Sequence, residues 1–267
     1  MSQPIDQSAD QASSQKQADE IRQNVRQSYS QVAEASNEGD CCGTASSCCG
    51  VSDDAAINTL VSTRLGYSED DLETVPLGAD MGLGCGNPRA IASIRTGETI
   101  LDLGSGGGFD CFLAAAETGE SGQVIGIDMT PTMISKARDN ADKGRYNHVE
   151  FRLGEIEHMP VANDAIDVII SNCVINLSPD KKQVFSEAFR VLKPGGRLAI
   201  SDVVASTELP DEIRNDLALY SGCMAGASQI TELEAILQEC GFDSINIAPK
   251  DESKEFIKDW APGRGVE

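Results

Sequence analysis

Nine cysteines give this sequence its most distinctive chemistry. Cys85 lies in GLGCGNP, Cys173 in SNCVINL and Cys223 in SGCMAGA, and such small or polar neighbours are typical of loops. Three thiolates without histidine or carboxylate partners suit a soft, sulfur-seeking ligand. A single loop cysteine is often only a small buried apolar residue. Cys111 and Cys240, which fall on predicted helices, fit that plainer description.

The compartment decides whether these cysteines form disulfides or act chemically. No stretch approaches the roughly 20 apolar residues of a membrane span, and the N-terminus lacks the charged and apolar regions of a secretory signal. We therefore expect a cytoplasmic protein whose thiols stay reduced. Nine cysteines in that compartment indicate chemistry rather than a disulfide framework.

The acidic charge of this chain argues against nucleic acids and anionic membranes as its partners. Its 43 acidic and 21 basic residues give a net charge of −22, whereas a nucleic acid or an anionic membrane requires a basic face. The excess of carboxylates suits a salty cytoplasm, although it also serves simply to keep a protein soluble. We expect a monomer, because no heptad pattern and no large exposed apolar stripe is evident.

The elements that must position the cysteines begin with an N-terminal extension. Residues 1–18 are rich in Gln, Ser and Asp and are predicted to be disordered. Residues 19–75 are predicted to hold helices and a cysteine-rich loop. The first of these helices is amphipathic, with apolar residues at helical spacing: Ile21, Val25, Tyr29 and Val32.

The central part of the chain, 76–203, alternates apolar strands with helices. Strands are predicted at 99–103, 123–127, 149–153, 167–171 and 197–202, and helices at 110–117, 131–144 and 180–192. This alternation predicts an α/β fold, a doubly wound and mostly parallel sheet with helices on both faces. Residues 204–267 are predicted to add helices at 211–220 and 229–240 and a strand at 242–248.

A glycine-rich turn follows the first predicted strand. Glycines after Asp102 allow a tight turn and let a ligand approach the backbone at a helix N-terminus. Asp128 ends the second strand, where its carboxylate can accept hydrogen bonds from two ribose hydroxyls. A glycine turn alone could also serve a dinucleotide or mere packing, and no second nucleotide-binding half is visible for a nicotinamide cofactor.

The runs ILDLGSGGG, GIDMT, SNCVINL and RVLKPGGRLAISD resemble the class I S-adenosylmethionine-dependent methyltransferases. That resemblance implies a Rossmann-like fold with Asp102 near the methionine ammonium of the cofactor, Asp128 on its ribose, residues 154–157 in the adenine loop and Asn172 beside the sulfonium. The cofactor-binding residues that it implies are Asp102, Gly104, Ser105, Gly106, Asp128, Met129, Glu155, Ile156 and Asn172.

The three loop cysteines can converge over the methyl group of such a cofactor, because ligands bind outside the strand ends of a parallel sheet. Trivalent arsenic takes three sulfurs as a pyramid, and its lone pair is itself a nucleophile, so no general base is required. This suits a chain in which neither His148 nor His158 has a catalytic context. Catalysis would then consist of orienting arsenic toward the methyl group.

From about Val25 to the C-terminus, this constellation resembles the arsenite methyltransferases, on GLGCGNP, SNCVINL, the cysteine–glycine–alanine loop and KDESKEFIKDWAPG. The resemblance implies that Cys173 and Cys223 are the arsenic-binding pair and Cys85 the third catalytic ligand. It also implies that an N-terminal cysteine pairs with Cys85 and that a thioredoxin-type or small-thiol reductant resets the pair.

The cysteine doublets of the N-terminal loop, Cys41-Cys42 and Cys48-Cys49, are the candidates for that partner or for a metalloid relay. The alternative is a separate zinc site, for which adjacent cysteines are poorly spaced. The spacing does not decide which of the four pairs with Cys85.

Two other functions remain open on the sequence. The cofactor half would equally serve a methyltransferase for a small organic acceptor, in which the three loop cysteines are dispensable. A metalloid-sequestering protein on this scaffold would bind arsenite without turnover. The family usually continues past residues 265–267 into a last strand, so either the chain is truncated or the predicted strand 242–248 takes that edge.

Overall fold

Five parallel strands form a central sheet in the computed structural model, which describes residues 7–35, 54–214 and 216–250. The strands are β1 (Thr99–Leu103), β2 (Gln123–Asp128), β3 (Val149–Leu153), β4 (Ile166–Asn172) and β5 (Leu192–Ser201). Their spatial order is β3-β2-β1-β4-β5. From β1 the chain adds β2 and β3 on one side and then β4 and β5 on the other, so the strand order switches sides between β1 and β4. Open α/β sheets bind ligands at that switch point, beyond the carboxyl ends of the strands.

The helices enclose this sheet and extend it at one end. They are α1 (Gln7–Ala35), α2 (Asp54–Arg64), α3 (Glu69–Thr74), α4 (Arg89–Ala92), α5 (Phe109–Thr118), α6 (Pro131–Gly144), α7 (Lys181–Val191), α8 (Asp211–Arg214), α9 (Leu217–Ser221) and α10 (Ile230–Glu239). A short parallel pair, β6 (Val204–Ala205) with β7 (Ser228–Gln229), lies outside the sheet. No helix in the described parts of the chain is long and apolar enough to cross a membrane.

Two apolar cores, one on each face of the sheet, hold the layers together. Ile100 of β1 packs with Phe112 of α5 and Ile134 of α6 on one face. Leu101 and Leu103 pack with α7 and α10 on the other. Neighbouring residues of one strand point to opposite faces, so a strand covered on both sides must be apolar throughout. The predicted doubly wound parallel α/β fold is therefore confirmed, with β1 and β3 at their predicted bounds.

The N-terminal helix is longer than predicted. It begins at Gln7, so residues 7–18, which were expected to be disordered, are helical. Ala, Gln and Lys are good helix formers even without an apolar stripe, and the stripe beyond residue 20 anchors the helix to the fold. The cysteine-rich loop that follows lies outside the described residues.

The predicted strand at 242–248 is wrong. Residues 241–250 form a turn and irregular structure, in which Phe242 and Ile245 pack against the core beside α7 and α10. Gly241 and Ser244 both have left-handed backbones, with φ of 101° and 54°, and these interrupt an extended conformation. The apolar side chains of Phe242 and Ile245 resemble those of a strand, but they fill the core from a loop.

Two other elements differ from prediction. In place of the helix expected at 211–220 the structure has α8 and α9, and Asp216 caps the second by accepting from the backbone N–H groups of Ala218 and Leu219. The last strand of the sheet begins at Leu192 rather than at 197 and contains the KPGG segment, with a register irregularity against β4.

Candidate active site

A cavity opens at the carboxyl ends of β1, β2 and β4, beside the switch point of the sheet. Asp102 of β1, Asp128 of β2 and Asn172 of β4 line it, together with Cys173. The side chain of Tyr29 on α1 lines the same cavity from above the sheet. One concave site therefore receives residues from three strands and from the N-terminal helix.

The glycine-rich turn is tied to the neighbouring strand. The backbone N–H groups of Gly104 and Ser105 donate to the Ile127 carbonyl at 2.8 and 2.9 Å. Gly104 has a φ of 69°, and a Cβ atom there would lie 2.4 Å from a methyl group of Val174. This position therefore requires glycine, both for its backbone conformation and for its close approach to the β4 loop.

Asp128 closes the turn from the end of β2. Its carboxylate accepts from the N–H of Gly106 at 3.0 Å and from that of Thr130 at 2.8 Å. Burial nevertheless raises the pKa of Asp128 above its ordinary value. A buried carboxylate that lines a cavity gains from further donors, as the hydroxyls of a ribose would provide.

Of two buried polar side chains in the cavity, one has no partner in the described part of the chain and the other, Asp102, accepts there only from the Cys111 thiol at 3.2 Å. The hydroxyl of Ser105 is buried and finds no hydrogen-bond partner among the described residues. Burial, followed by the nearby Asp110 carboxylate, raises the pKa of Asp102 well above its usual range. An orphaned hydroxyl beside such a carboxyl indicates a missing ligand. A cationic ligand with hydroxyl groups would satisfy both side chains.

Asn172 holds the loop of Cys85 at the cavity. Its side-chain oxygen accepts from the N–H of Cys85 at 3.0 Å, and its side-chain nitrogen donates to the Gly86 carbonyl at 2.9 Å. The same nitrogen donates to Asp110 at 3.1 Å, and the Tyr67 hydroxyl donates to Asp110 at 2.6 Å. The buried carboxylate thus fixes which way the amide of Asn172 points.

Three cysteine thiols meet at this end of the sheet. The thiol of Cys173 is in hydrogen-bond contact with those of Cys223 and Cys85, and the Cys223 thiol also donates to the Cys173 carbonyl at 2.7 Å. Cys173 and Cys223 are buried and Cys85 is half-buried. The structure thus brings together the three loop cysteines that the sequence selected.

Two of these cysteines have a backbone that side-chain-bearing residues rarely adopt. The φ angle is 58° at Cys173 and 63° at Cys223. A non-glycine residue in the left-handed region costs on the order of 1–3 kcal/mol and persists where the surroundings impose it, often at functional sites. Both strained positions carry a thiol that contacts the other.

Two thiols of the cluster, those of Cys173 and Cys85, are kept protonated by their surroundings. Hydrogen bonds with the Cys223 and Cys85 thiols, and then burial, raise the pKa of Cys173 well above its ordinary value. For Cys85 a hydrogen bond with Cys173 lowers the pKa, but burial and the Asp202 carboxylate together outweigh it and the pKa is raised. The site therefore presents thiols, which react with a ligand that accepts their protons.

The helix α1 crosses the cavity and contacts both of its ends. Arg22 and Arg26 pair with the carboxylates of Glu157 and Glu155 at 3.3 and 3.1 Å. One turn further along, the Tyr29 hydroxyl donates to the Ser221 carbonyl at 3.3 Å and is hydrogen-bonded to the Cys223 thiol. The helix α1 thus lines the cavity and also contacts the cysteine cluster.

Nearly all the residues proposed for the cofactor line this cavity, and the exception is Glu155. Its carboxylate pairs with Arg26 instead, and the lining carboxylate of that loop belongs to Glu157. The lining residues from the proposed set are Asp102, Gly104, Ser105, Gly106, Asp128, Met129, Ile156 and Asn172. Their roles toward a cofactor stay predictions, and Cys41, Cys42, Cys48 and Cys49 lie outside the described residues.

Sequence reasoning missed four residues of the site: Tyr29, Tyr67, Asp110 and Asp202. Tyr29 was assigned to an apolar stripe, where its hydroxyl was the neglected signal. Asp110 stands in the first turn of a helix after a glycine-rich loop, yet its partners Tyr67 and Asn172 are 43 and 62 positions away. Contacts at that separation leave no local pattern.

Comparison with known proteins assigns the chain to a family. A family model described as "Methyltransferase domain" matches residues 94–241, which include all five strands of the sheet. The chain belongs to this methyltransferase family.

Among similar methyltransferases, an arsenite methyltransferase of Halobacterium salinarum is 52% identical over 255 residues, 93% of this chain and 64% of that protein. The human arsenite methyltransferase is 46% identical over 152 residues, 54% of this chain and 40% of its own. The chain thus spans less than two thirds of the length of each of these two relatives.

A solved structure supports the same comparison. The arsenic(III) S-adenosylmethionine methyltransferase of Chlamydomonas reinhardtii is 35% identical, with a TM-score of 0.57 over 74% of this chain and 68% of that one. A phosphoethanolamine N-methyltransferase of Haemonchus contortus is similar in fold, at 21% identity and a TM-score of 0.51.

Proposed function

We propose that this methyltransferase transfers methyl groups from S-adenosylmethionine to trivalent arsenic held by Cys85, Cys173 and Cys223. The observation that carries the proposal is the cluster of three cysteines at the edge of the cavity, in which Cys173 lies between Cys85, whose sulfur is within 4.8 Å, and Cys223, whose thiol donates to its carbonyl. An organic acceptor would have no use for three converging thiols, whereas a thiophilic metalloid requires them. The similarity to proteins named arsenite methyltransferases supports the same substrate.

The cavity residues suit the cofactor. Asp102 would hold the ammonium group of its methionine, the Gly104–Gly106 turn would lie against its chain, and Asp128 would accept from its ribose hydroxyls. Ser105 would donate or accept through its orphaned hydroxyl. When bound, S-adenosylmethionine supplies an electrophilic methyl group on a sulfonium. Met129 and Ile156 provide the apolar lining.

Arsenite loads onto the cysteines without an added base. Each thiol proton leaves with one hydroxide of As(OH)₃, so three thiols and one arsenite give three arsenic–sulfur bonds and three waters. The raised pKa values of Cys85 and Cys173 suit this exchange, because the ligand needs protons as well as sulfur. The buried cysteines then orient the lone pair of arsenic, which is the nucleophile.

The electrons balance through the cysteines. Forming the arsenic–carbon bond uses the arsenic lone pair and formally oxidises arsenic by two electrons. Two cysteine thiolates return these electrons when they leave as a disulfide, and a thioredoxin-type or small-thiol reductant then restores the thiols. We place the enzyme in the cytoplasm, as a monomer without a nucleic-acid or membrane partner. The reducing chemistry and the net charge of −22 support this placement.

The test is methylation of arsenite by the purified, reduced full-length chain with S-adenosylmethionine and a thiol, with the arsenic species separated by chromatography. We expect methylated arsenic from the parent and none from Cys173→Ser or Cys223→Ser. Cys240→Ser, which removes a thiol remote from the cluster, is the matched control and should retain activity. Arsenite binding without turnover would instead indicate sequestration, and methylated arsenic from both serine variants would show that Cys173 and Cys223 do not hold the substrate.

A further inference from the structure

A carboxylate that methyl transfer does not use lies beside the thiol cluster. Asp202 follows β5 directly, and one of its oxygens lies within 4.8 Å of the sulfurs of Cys85 and Cys173, which also lie within 4.8 Å of each other. The three side chains come from three separate segments, the loop before α4 and the ends of β4 and β5. Trivalent arsenic takes three sulfurs, so this oxygen is an additional donor.

The Asp202 carboxylate is held in place by its own partners. One oxygen accepts from the side-chain nitrogen of Asn176 and from the N–H of Val203, both at 2.8 Å. The other accepts from the N–H of Asn176 at 3.2 Å. Such outer partners fix the orientation of a metal-binding carboxylate. Lys181, a cation near Asp202, donates its ammonium to the Gly226 carbonyl.

Two sulfurs and one oxygen at this spacing are a donor set for a tetrahedral thiophilic cation, with a fourth position left for water. We propose that Cys85, Cys173 and Asp202 bind a thiophilic divalent cation of the zinc and cadmium class. Binding releases the two thiol protons to solvent and places two thiolates and one carboxylate around the dication. No electrons are transferred.

Cation binding has a consequence for the enzyme. The cation occupies Cys85 and Cys173, which are two of the three sulfurs assigned to arsenic, so it excludes arsenite. This competition rests on the proposed function, whereas the binding of the cation does not. A zinc- or cadmium-loaded chain is therefore inactive toward arsenite until the cation is removed.

The test is a titration of the reduced full-length chain with Cd²⁺, followed by the ultraviolet charge-transfer absorption of cadmium–thiolate bonds. Cys41, Cys42, Cys48 and Cys49 are replaced by serine in every sample, because they would bind cadmium independently. We expect one tight equivalent in this parent. Asp202→Asn should weaken cadmium binding by about tenfold or more, since loss even of an outer partner costs roughly 10–100-fold.

The control variants distinguish the loss of a cadmium ligand from a general loss of folding. Asp164→Asn removes an exposed carboxylate remote from the cluster and should bind cadmium like the parent. Cys85→Ser should lower the absorption per bound cadmium, because one thiolate bond is lost, whereas Asp202→Asn should keep that absorption. If Asp202→Asn does not fold, Asn176→Ala, which keeps the carboxylate but frees it, should show weaker binding in its place.

The outcomes are distinct. The absence of tight cadmium binding in the parent would overturn the proposal, and so would equal affinity in Asp202→Asn and Asp164→Asn. Arsenite is titrated in parallel with cadmium. A chain that binds cadmium through Asp202 but neither binds nor methylates arsenite would overturn the proposed function and leave the cation site standing.

Discussion

At the scale of single residues, the candidate site depends on backbone positions that its side chains do not favour. Cys173 and Cys223 hold left-handed conformations with φ of 58° and 63°, and both are buried. The surrounding loops impose these conformations, since a cysteine gains nothing from them in isolation. The thiols therefore converge because of the fold, and the ligand need not rearrange the loops before it binds.

Asn172 is the residue that connects the cavity with Cys85. Asn172→Ala leaves the N–H of Cys85 without its partner and Asp110 with the Tyr67 hydroxyl alone, at about 1–3 kcal/mol for a group that stays unsatisfied. We expect arsenite to bind at least about tenfold more weakly, because the loop of the third thiol is freed. Titration with arsenite measures this, and Asn147→Ala, an exposed asparagine, is the control. Equal affinity in the two variants would show that Asn172 does not position Cys85.

At the scale of elements, α1 joins the two halves of the site. The helix carries Arg22 and Arg26 to the acidic loop of the cavity and Tyr29 to the cysteine cluster. A movement of α1 would therefore change both the cofactor wall and the surroundings of Cys223. This arrangement predicts that the two ligands affect each other's affinity.

The contact of α1 with the cysteine cluster can be tested by removing the hydroxyl group of Tyr29. Burial, and next the neighbouring Cys223, raise the pKa of Tyr29 well above its usual value, so its hydroxyl stays protonated and donates. Tyr29→Phe keeps the ring and removes that donor, and arsenite affinity should fall by about three- to tenfold, as for a net hydrogen bond of about 1 kcal/mol.

The control for this variant is Tyr146→Phe, whose hydroxyl donates to the Thr74 carbonyl at 3.1 Å, away from the cluster. It should bind arsenite like the parent. If both phenylalanine variants bind equally well, the Tyr29 hydroxyl contributes nothing to the acceptor site and α1 is only a wall.

The elements also show what can be predicted from sequence. β1 and β3 have their predicted bounds, because a strand buried on both faces is a continuous apolar run between turn residues. Phe242 and Ile245 have the same apolar character but fill the core from a loop, since the left-handed Ser244 interrupts the strand. Backbone conformation at one polar residue is not visible in a hydrophobic pattern.

The site was predictable to the extent that its residues lie at strand ends. Asp102, Asp128 and Cys173 follow from that position in a parallel sheet. The clamp of Tyr67, Asp110 and Asn172, and the approach of Asp202 to Cys85, depend on contacts between segments far apart in the chain. Such contacts follow only from the folded arrangement.

At the scale of the whole molecule, buried acids gather at one end of the sheet. Burial raises the pKa values of Asp102, Asp110, Asp128 and Asp202. A carboxyl whose pKa is raised on folding binds protons more tightly in the folded state, so its contribution to stability falls as the pH rises. The acidic site therefore lowers the stability of the ligand-free protein at neutral pH, and a cationic ligand offsets this cost.

Asp202 gives a measurable share of this effect. Burial raises its pKa from 3.8 to about 6, and a shift of that size corresponds to about 3 kcal/mol. The stability that this carboxyl contributes is fully present below pH 3.8 and is lost as the pH rises through about 6. Urea unfolding at pH 4.5 and 7.5 should show that Asp202→Asn gains stability relative to the parent, by up to that amount, at the higher pH. A difference that does not vary with pH would contradict this assignment.

In the proposed site, arsenic is bound by Cys85, Cys173 and Cys223 together. X-ray absorption at the arsenic edge, on the chain with Cys41, Cys42, Cys48 and Cys49 replaced by serine, measures which atoms surround the bound arsenic. We predict three sulfur neighbours around bound arsenic, and two in the further variant Cys85→Ser. Oxygen neighbours in the first sample, or three sulfurs in both, would show that Cys85, Cys173 and Cys223 do not together hold the substrate.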